Sequence, residues 1–185
     1  TGAAERVEPA RVQLVLQHYY ELVEKAATTH GALVAGFTGD GAMLIFGLPE
    51  PSPSDPAQAI ACGKAMLAAM PAWQAMAEEH GMPRLNLRIG INYGRVEIGH
   101  VGGGDQIQLA ATGDVVNVAS RLQNETRTAG TPMLVAASAV ELARAHDGEQ
   151  AVAGLQPRQP LLLRGRAAPV SAFALVEAET PASPG

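Results

Sequence analysis

At 185 residues, 47% of them hydrophobic, the chain is long enough for one domain with a core of its own, and its formal net charge of −5 with no Lys/Arg cluster argues against nucleic-acid binding. Aromatic residues make up only 4%, so Ala, Val, Leu and Ile must fill that core. The single cysteine, Cys62, has no partner in the chain, which excludes an internal disulfide framework and fits a reducing compartment.

No run of about 18 apolar residues is present and no charged-then-apolar leader opens the chain. The expectation is a soluble, cytoplasmic domain without direct membrane contact, free or as the cytoplasmic part of a larger membrane protein. Val12, Val15, Leu16, Tyr19, Leu22, Val23 and Ala26 recur at helical spacing and predict a helix over 9–30, closed by Gly31. Leu33–Phe37 and Met43–Phe46 then read as strands joined by Gly39-Asp40-Gly41, a hairpin signal because glycine accepts positive φ.

Pro49, Pro51 and Pro53 mark a loop. Asp55-Pro56-Ala57-Gln58 predicts a helix start with Asp55 as N-cap, the helix reaching about His80 with Pro71 kinking or dividing it. Leu85, Leu87, Ile89 and Ile91 alternate with polar neighbours, and Tyr93-Gly94 is expected to turn this strand into a hairpin with Val96–Val101. Gly102-Gly103-Gly104-Asp105 reads as a flexible loop tip, followed by a helix over 114–126 and a strand over 132–136. Ser138-Ala139-Val140-Glu141 predicts a capping box opening another helix. Leu161–Arg164 and Val170–Leu175 predict a last strand pair around Gly165, and the Pro/Ser/Gly end from Thr180 a disordered tail. Helices alternating with hairpins argue an α+β fold, helices packed on an antiparallel-rich sheet.

Two segments carry chemistry. Asp40 sits on a tight turn, where a carboxylate could serve a hard cation such as Mg²⁺ or could close the turn by bonding its own backbone. Asn117 and Arg121 lie four residues apart behind the Gly113 turn and share a helix face, while Val115, Val118, Ala119 and Leu122 form a separate apolar stripe. An amide that can fix a ribose and a guanidinium that can stabilise a transferring phosphoryl group would then point one way. The alternative is a solvated helix face. Arg164 could hold a triphosphate or charge a sheet edge. The glycines at 102–104 lack the following acid and aromatic of a GGDEF signature, and no helix opens directly behind them. His18, His30, His80, His100 and His146 show no metal-ligand spacing, and there is no Gly-x-Ser-x-Gly elbow.

Together these segments resemble the catalytic domain of the class III adenylate/guanylate cyclases. The matching stretches are Phe37–Gly41 with Met43–Gly47, Leu87–Ile91 with Gly94, Val96 and Gly99, Gly113–Leu122, and Leu163-Arg164-Gly165 ahead of Pro169-Val170. The resemblance covers roughly residues 5–176 and rests most on the Gly-x-x-Val-Asn-x-Ala-x-Arg pattern of Gly113, Val116, Asn117, Ala119 and Arg121. It implies a ferredoxin-like fold over residues 1–179, a head-to-tail homodimer with active sites at the interface, and two Mg²⁺ or Mn²⁺ ions per site. By position Asp40 matches the second metal aspartate, Asn117 the ribose-orienting asparagine and Arg121 the arginine at the pentavalent phosphorus. Arg164 stands where the family has a triphosphate-binding lysine. Gly36, Gly39, Ala110 and Gly113 are the further positions expected beside the substrate, ATP before GTP.

The chain departs from the family pattern in three places. The first metal aspartate belongs to a strand expected just upstream of Thr1, so the domain reads as N-terminally incomplete, with a sensor or regulatory domain expected in the full-length protein. Gly36 and Ala110 stand where the family carries its two base-selecting side chains, and neither can read a purine edge by hydrogen bonding. Two functions follow as expectations: a nucleotide cyclase, or a degenerate cyclase-homology domain serving dimerisation or nucleotide sensing.

Overall fold

Proline at the first helical position opens helix α1 (Pro9–Thr29), which buries Val15, Tyr19, Val23 and Ala27 at a spacing of four and stops at Gly31, φ 70°. These elements belong to a computed structural model that describes residues 8–39, 41–103, 106–164, 166 and 168–176, with backbone only at 38, 100–103 and 106–109. Strands β1 (Leu33–Thr38) and β2 (Gly41–Ile45) form the expected antiparallel hairpin, in register from Leu33–Ile45 to Thr38–Gly41 with a bulge between Val34 and Gly36. Gly39 has φ 63°, the conformation that the glycine-rich turn was read to need. Asp40 lies outside the described residues, as do Gly104, Asp105, Gly165 and the tail from Thr180.

Helix α2 (Asp55–Glu79) passes Pro71 as one undivided element. Its start differs from expectation: Ser54 is the N-cap residue and Asp55 the first helical one. The Asp55 carboxylate accepts the Ser52 backbone N–H at 2.7 Å, fastening the preceding loop instead of a helical amide.

The second expected hairpin does not form. Strand β3 (Ile89–Ile91) has no pairing with the strand after it; it lies parallel to β6 (Met133–Ala136). Strand β4 (Glu97–Gly103) pairs instead with β5 (Gln106–Thr112), antiparallel from Glu97–Thr112 to Gly103–Gln106. Gly102 and Gly103 are therefore ladder residues and not loop. Alternation of Gln106 and Gln108 with Ile107 and Leu109 was the signal for the unpredicted β5.

Helix α3 (Asp114–Ala129) runs a turn-fraction beyond its expected end, to Gly130 in the left-handed conformation at φ 65°. Helix α4 (Ala137–Asp147) follows β6 directly, with Ala136 as N-cap, so Ser138 makes no capping box. Its hydroxyl points back to Tyr93 O at 3.3 Å and Asn92 Oδ1 at 3.5 Å. A short 3-10 turn (Glu149–Val152) leads to β7 (Leu155–Pro157), and β8 (Ala172–Leu175) closes the fold. Of the expected last strand pair, one bridge exists, Leu161–Val170; β8 pairs instead with β6 and β7.

The central sheet has the order β3-β6-β8-β7, antiparallel except for β3–β6. All of β6 is buried, and the strand period sends its side chains to two layers. Met133 and Val135 join Ile60, Val140 and Ala143 of α2 and α4, whereas Leu134 and Ala136 join Val118 and Leu122 of α3. A third cluster seats α1 and the β1–β2 hairpin on α2 through Val15, Tyr19, Val23, Cys62, Met66 and Trp73. The α+β class read from the sequence is the observed one, with helices covering both faces of a mostly antiparallel sheet. No helix among the described residues is long and apolar enough to cross a membrane.

Cys62 is 2% exposed, and burial pushes its thiol up to about 11. A raised value keeps the sulfur protonated at pH 8, where a free cysteine is already partly thiolate. Native protein treated with iodoacetamide at pH 8 is expected to show no alkylation by mass spectrometry, and complete single alkylation once denatured in guanidinium.

Candidate active site

The Ile89-Gly90-Ile91 strand is the base on which α3 rests. Ile89 and Ile91 face the α2 layer, so Gly90 faces α3. A Cβ built on Gly90 would lie 2.1 Å from the Ala119 carbonyl oxygen and 2.4 Å from the Gln123 nitrogen. These are backbone atoms of a helix and cannot swing away. One turn further, a Cβ on Gly94 would lie 2.6 Å from Val115 Cγ2. Gly90 thus lets the α3 backbone lie directly on the sheet, and Gly94 leaves room for the Val115 side chain.

Polar contacts fix the start of the same helix. Gly113, the N-cap, has φ 131° and ψ 167°, a conformation essentially reserved for glycine. Its Cβ position is open apart from ordinary contact with Arg95 O at 3.7 Å, so backbone conformation and not space demands glycine here. Asn92 Nδ2 donates to the Val115 carbonyl at 3.1 Å. Arg166 donates through Nη1 to the Asp114 carboxylate, the first residue of the helix.

On this seated helix the apolar stripe points inward as read from the sequence: Val118 and Leu122 are buried. Asn117 is exposed and Arg121 half-buried, about 6 Å apart along the axis from their four-residue spacing. Neither side chain has a hydrogen bond or ion pair among the described residues, so amide and guanidinium are both available to a ligand. Arg164 is exposed and similarly unengaged, on the segment that Arg166 ties to α3.

The other expected residues gather on the two hairpins. The Tyr20 hydroxyl, from α1, donates to the Gly39 carbonyl at 3.0 Å, and its ring lies 4.1 Å from that of Phe37. The turn before Asp40 is therefore held from α1 as well as by its own ladder. Gly36 on β1 and Ala110 on β5 lie on neighbouring strands, since β1 packs beside β5. A Cβ on Gly36 would meet nothing within 4 Å, so the position has open space where the family places a base-reading side chain.

A metal ion is implied by the family resemblance. Among the described residues no group of three His, Cys, Asp or Glu side chains could hold one. Asp40, between Gly39 and Gly41 in the sequence, carries a carboxylate, the donor type a hard cation takes. Three residues of this region escaped sequence reading: Asn92, Tyr20 and Arg166. Only Asn92 carried a usable signal, a polar side chain directly after an apolar, half-buried strand.

Helices on a mostly antiparallel sheet, with Asn117 and Arg121 on a glycine-seated helix, are the arrangement that the cyclase resemblance leads one to expect. The adenylate and guanylate cyclase catalytic domain matches this chain over residues 1–175, and the chain belongs to that family. Adenylate cyclase 1 of Rhizobium meliloti (strain 1021) is 29% identical over 140 residues, which are 76% of this chain and 21% of that protein. The chain thus spans about a fifth of the length of that relative. The guanylyl cyclase Cya2 crystal structure superposes with a TM-score of 0.78 at 28% identity, covering 98% of this chain and 88% of that one. The adenylyl cyclase CyaB from P. aeruginosa shares the fold, with a TM-score of 0.78 at 24% identity over 96% of this chain and 88% of its own.

Gly90→Ala is expected to lower stability by about 2 kcal/mol through overpacking against helix backbone. Urea denaturation followed by circular dichroism measures it; a midpoint equal to wild type would mean that α3 does not rest on this glycine.

Proposed function

We propose that this domain converts ATP, or less readily GTP, to the 3′,5′-cyclic nucleotide and pyrophosphate. The observation that carries the reading is the pair Asn117 and Arg121, unengaged by other side chains among the described residues, on a helix held by Gly90, Asn92 and Gly113. A guanidinium placed where charge develops on a phosphoryl group stabilises the transition state without reorganising. Asn117 orients the ribose so that its 3′-oxygen faces the α-phosphorus, and Arg121 takes up the charge on the equatorial oxygens as pyrophosphate leaves. Arg164 meets the triphosphate as a fixed cation in place of the family's lysine.

Asp40, with a first aspartate expected upstream of Thr1, is proposed to hold Mg²⁺ or Mn²⁺, two ions per site. Such ions, when bound, neutralise phosphate charge and acidify the ribose hydroxyl. In the head-to-tail homodimer proposed here, Asn117 and Arg121 of one copy serve the site whose metal carboxylates come from the other. Gly36 and Ala110 support weak base discrimination, because a site without hydrogen-bonding side chains rejects the wrong base poorly. Those two residues also favour a second reading, a domain that binds nucleotide or dimerises without turnover.

The full-length protein with Mn²⁺ and ATP or GTP is expected to release cyclic nucleotide, and Arg121→Ala to lose at least about a hundredfold in kcat. Nucleotide binding without product in wild type would establish the second reading instead. Gly36→Glu, which enters open space, is expected to raise the GTP-to-ATP ratio of kcat/KM by about tenfold or more. An unmoved ratio would show that the base is read elsewhere.

A further inference from the structure

Two arginines on one segment are engaged differently. Arg164 is exposed and has no partner among the described residues, whereas Arg166 is only 29% exposed in its side chain and is paired with the Asp114 carboxylate. Its backbone N–H also bonds Leu163 O at 3.0 Å, closing a turn whose Leu163 is 1% exposed in the α3 layer. The segment is therefore anchored to α3 twice, by a buried leucine beneath and by an ion pair at the helix start.

We infer that Arg166 is a positioning residue: with Asp114 it clasps the segment bearing Arg164 to the first turn of the helix bearing Asn117 and Arg121. The inference rests on the nucleotide-cyclase reading for its kinetic consequence and on the ion pair alone for its structural one. Asp114 also sits where a carboxylate is favoured by the helix dipole, so its charge serves the helix start and the clasp together. With the Asp114 side chain 69% exposed, the pair contributes little to global stability, and its effect falls on local placement. Three groups that must meet one substrate, Asn117, Arg121 and Arg164, are then held on one rigid piece. Because Gly90, Asn92 and Gly113 hold α3 independently, releasing the clasp frees the Arg164 segment first, and the loss falls chiefly on triphosphate binding.

The test compares Asp114→Asn, Arg166→Gln, their double variant, Arg166→Lys and Arg164→Ala in the full-length protein. The expected result is a KM about fivefold higher in each of the first two, with kcat little changed, and a double variant no worse than either single. Amide hydrogen exchange at position 166, whose N–H bonds Leu163 O, should quicken by about the same factor in both single variants and the double variant. Arg166→Lys should recover part of the loss, and Arg164→Ala should raise KM without altering exchange. Unchanged exchange in Asp114→Asn and Arg166→Gln overturns the clasp. So does a rise in KM for Arg166→Gln that Asp114→Asn does not share, which would make Arg166 a phosphate ligand. A wild type without turnover overturns the cyclase reading, while exchange still decides the clasp.

Discussion

The seating of α3, and with it the placement of Asn117 and Arg121, depends on a contact made possible by a missing side chain. At Gly90 the sheet offers no Cβ, and the backbone of α3 occupies that space, with the Ala119 carbonyl where a methyl would stand. Packing through side chains would leave the helix free to adjust by rotamer changes. Packing backbone on backbone leaves almost no freedom, because neither surface has a soft torsion to yield. Asn117 and Arg121 flank the contact in sequence, so it fixes their placement relative to the sheet.

The same strand shows how one short sequence serves two layers. Ile-Gly-Ile gives two branched side chains to the α2 side and none to the α3 side. Beside it β6 does the converse, supplying side chains to both faces. The sheet is thus close-packed against α2 and α4 by side chains, and against α3 partly by main chain. A glycine on α2 makes a lesser version of the contact: a Cβ at Gly63 would lie 2.7 Å from Met133 Sδ, but that sulfur is on a flexible side chain and can give way.

Much of this was legible in the sequence because it is local. Helical spacing of apolar residues gave α1 and α3 their faces, a start signal at Asp55-Pro56 gave α2, and the Gly39 and Gly113 turns declared themselves through the conformations only glycine takes. Pairing between distant strands was not legible. The alternation at Leu85–Ile91 predicts a strand but not its partner, and the nearest following strand was the wrong choice because β3 pairs parallel to β6, far along the chain. Nor do capping motifs announce competing partners: Ser138 faces Asn92 and Tyr93, and Asp55 holds the loop before its helix. The glycine at position 90 was visible as part of a motif, whereas its purpose, room for a helix backbone, exists only once both elements are assembled.

One contact of α1 has a consequence for how the first hairpin is governed. The Tyr20 hydroxyl reaches the Gly39 carbonyl across 3.0 Å while its ring leans on Phe37. Successive residues on a helix are rotated by about 100°, so the hydroxyl finds that carbonyl at only one rotational setting of α1. The helix thereby acts as an index for the turn: any torque on α1 about its own axis is felt, through a single phenol, at the residue before Asp40.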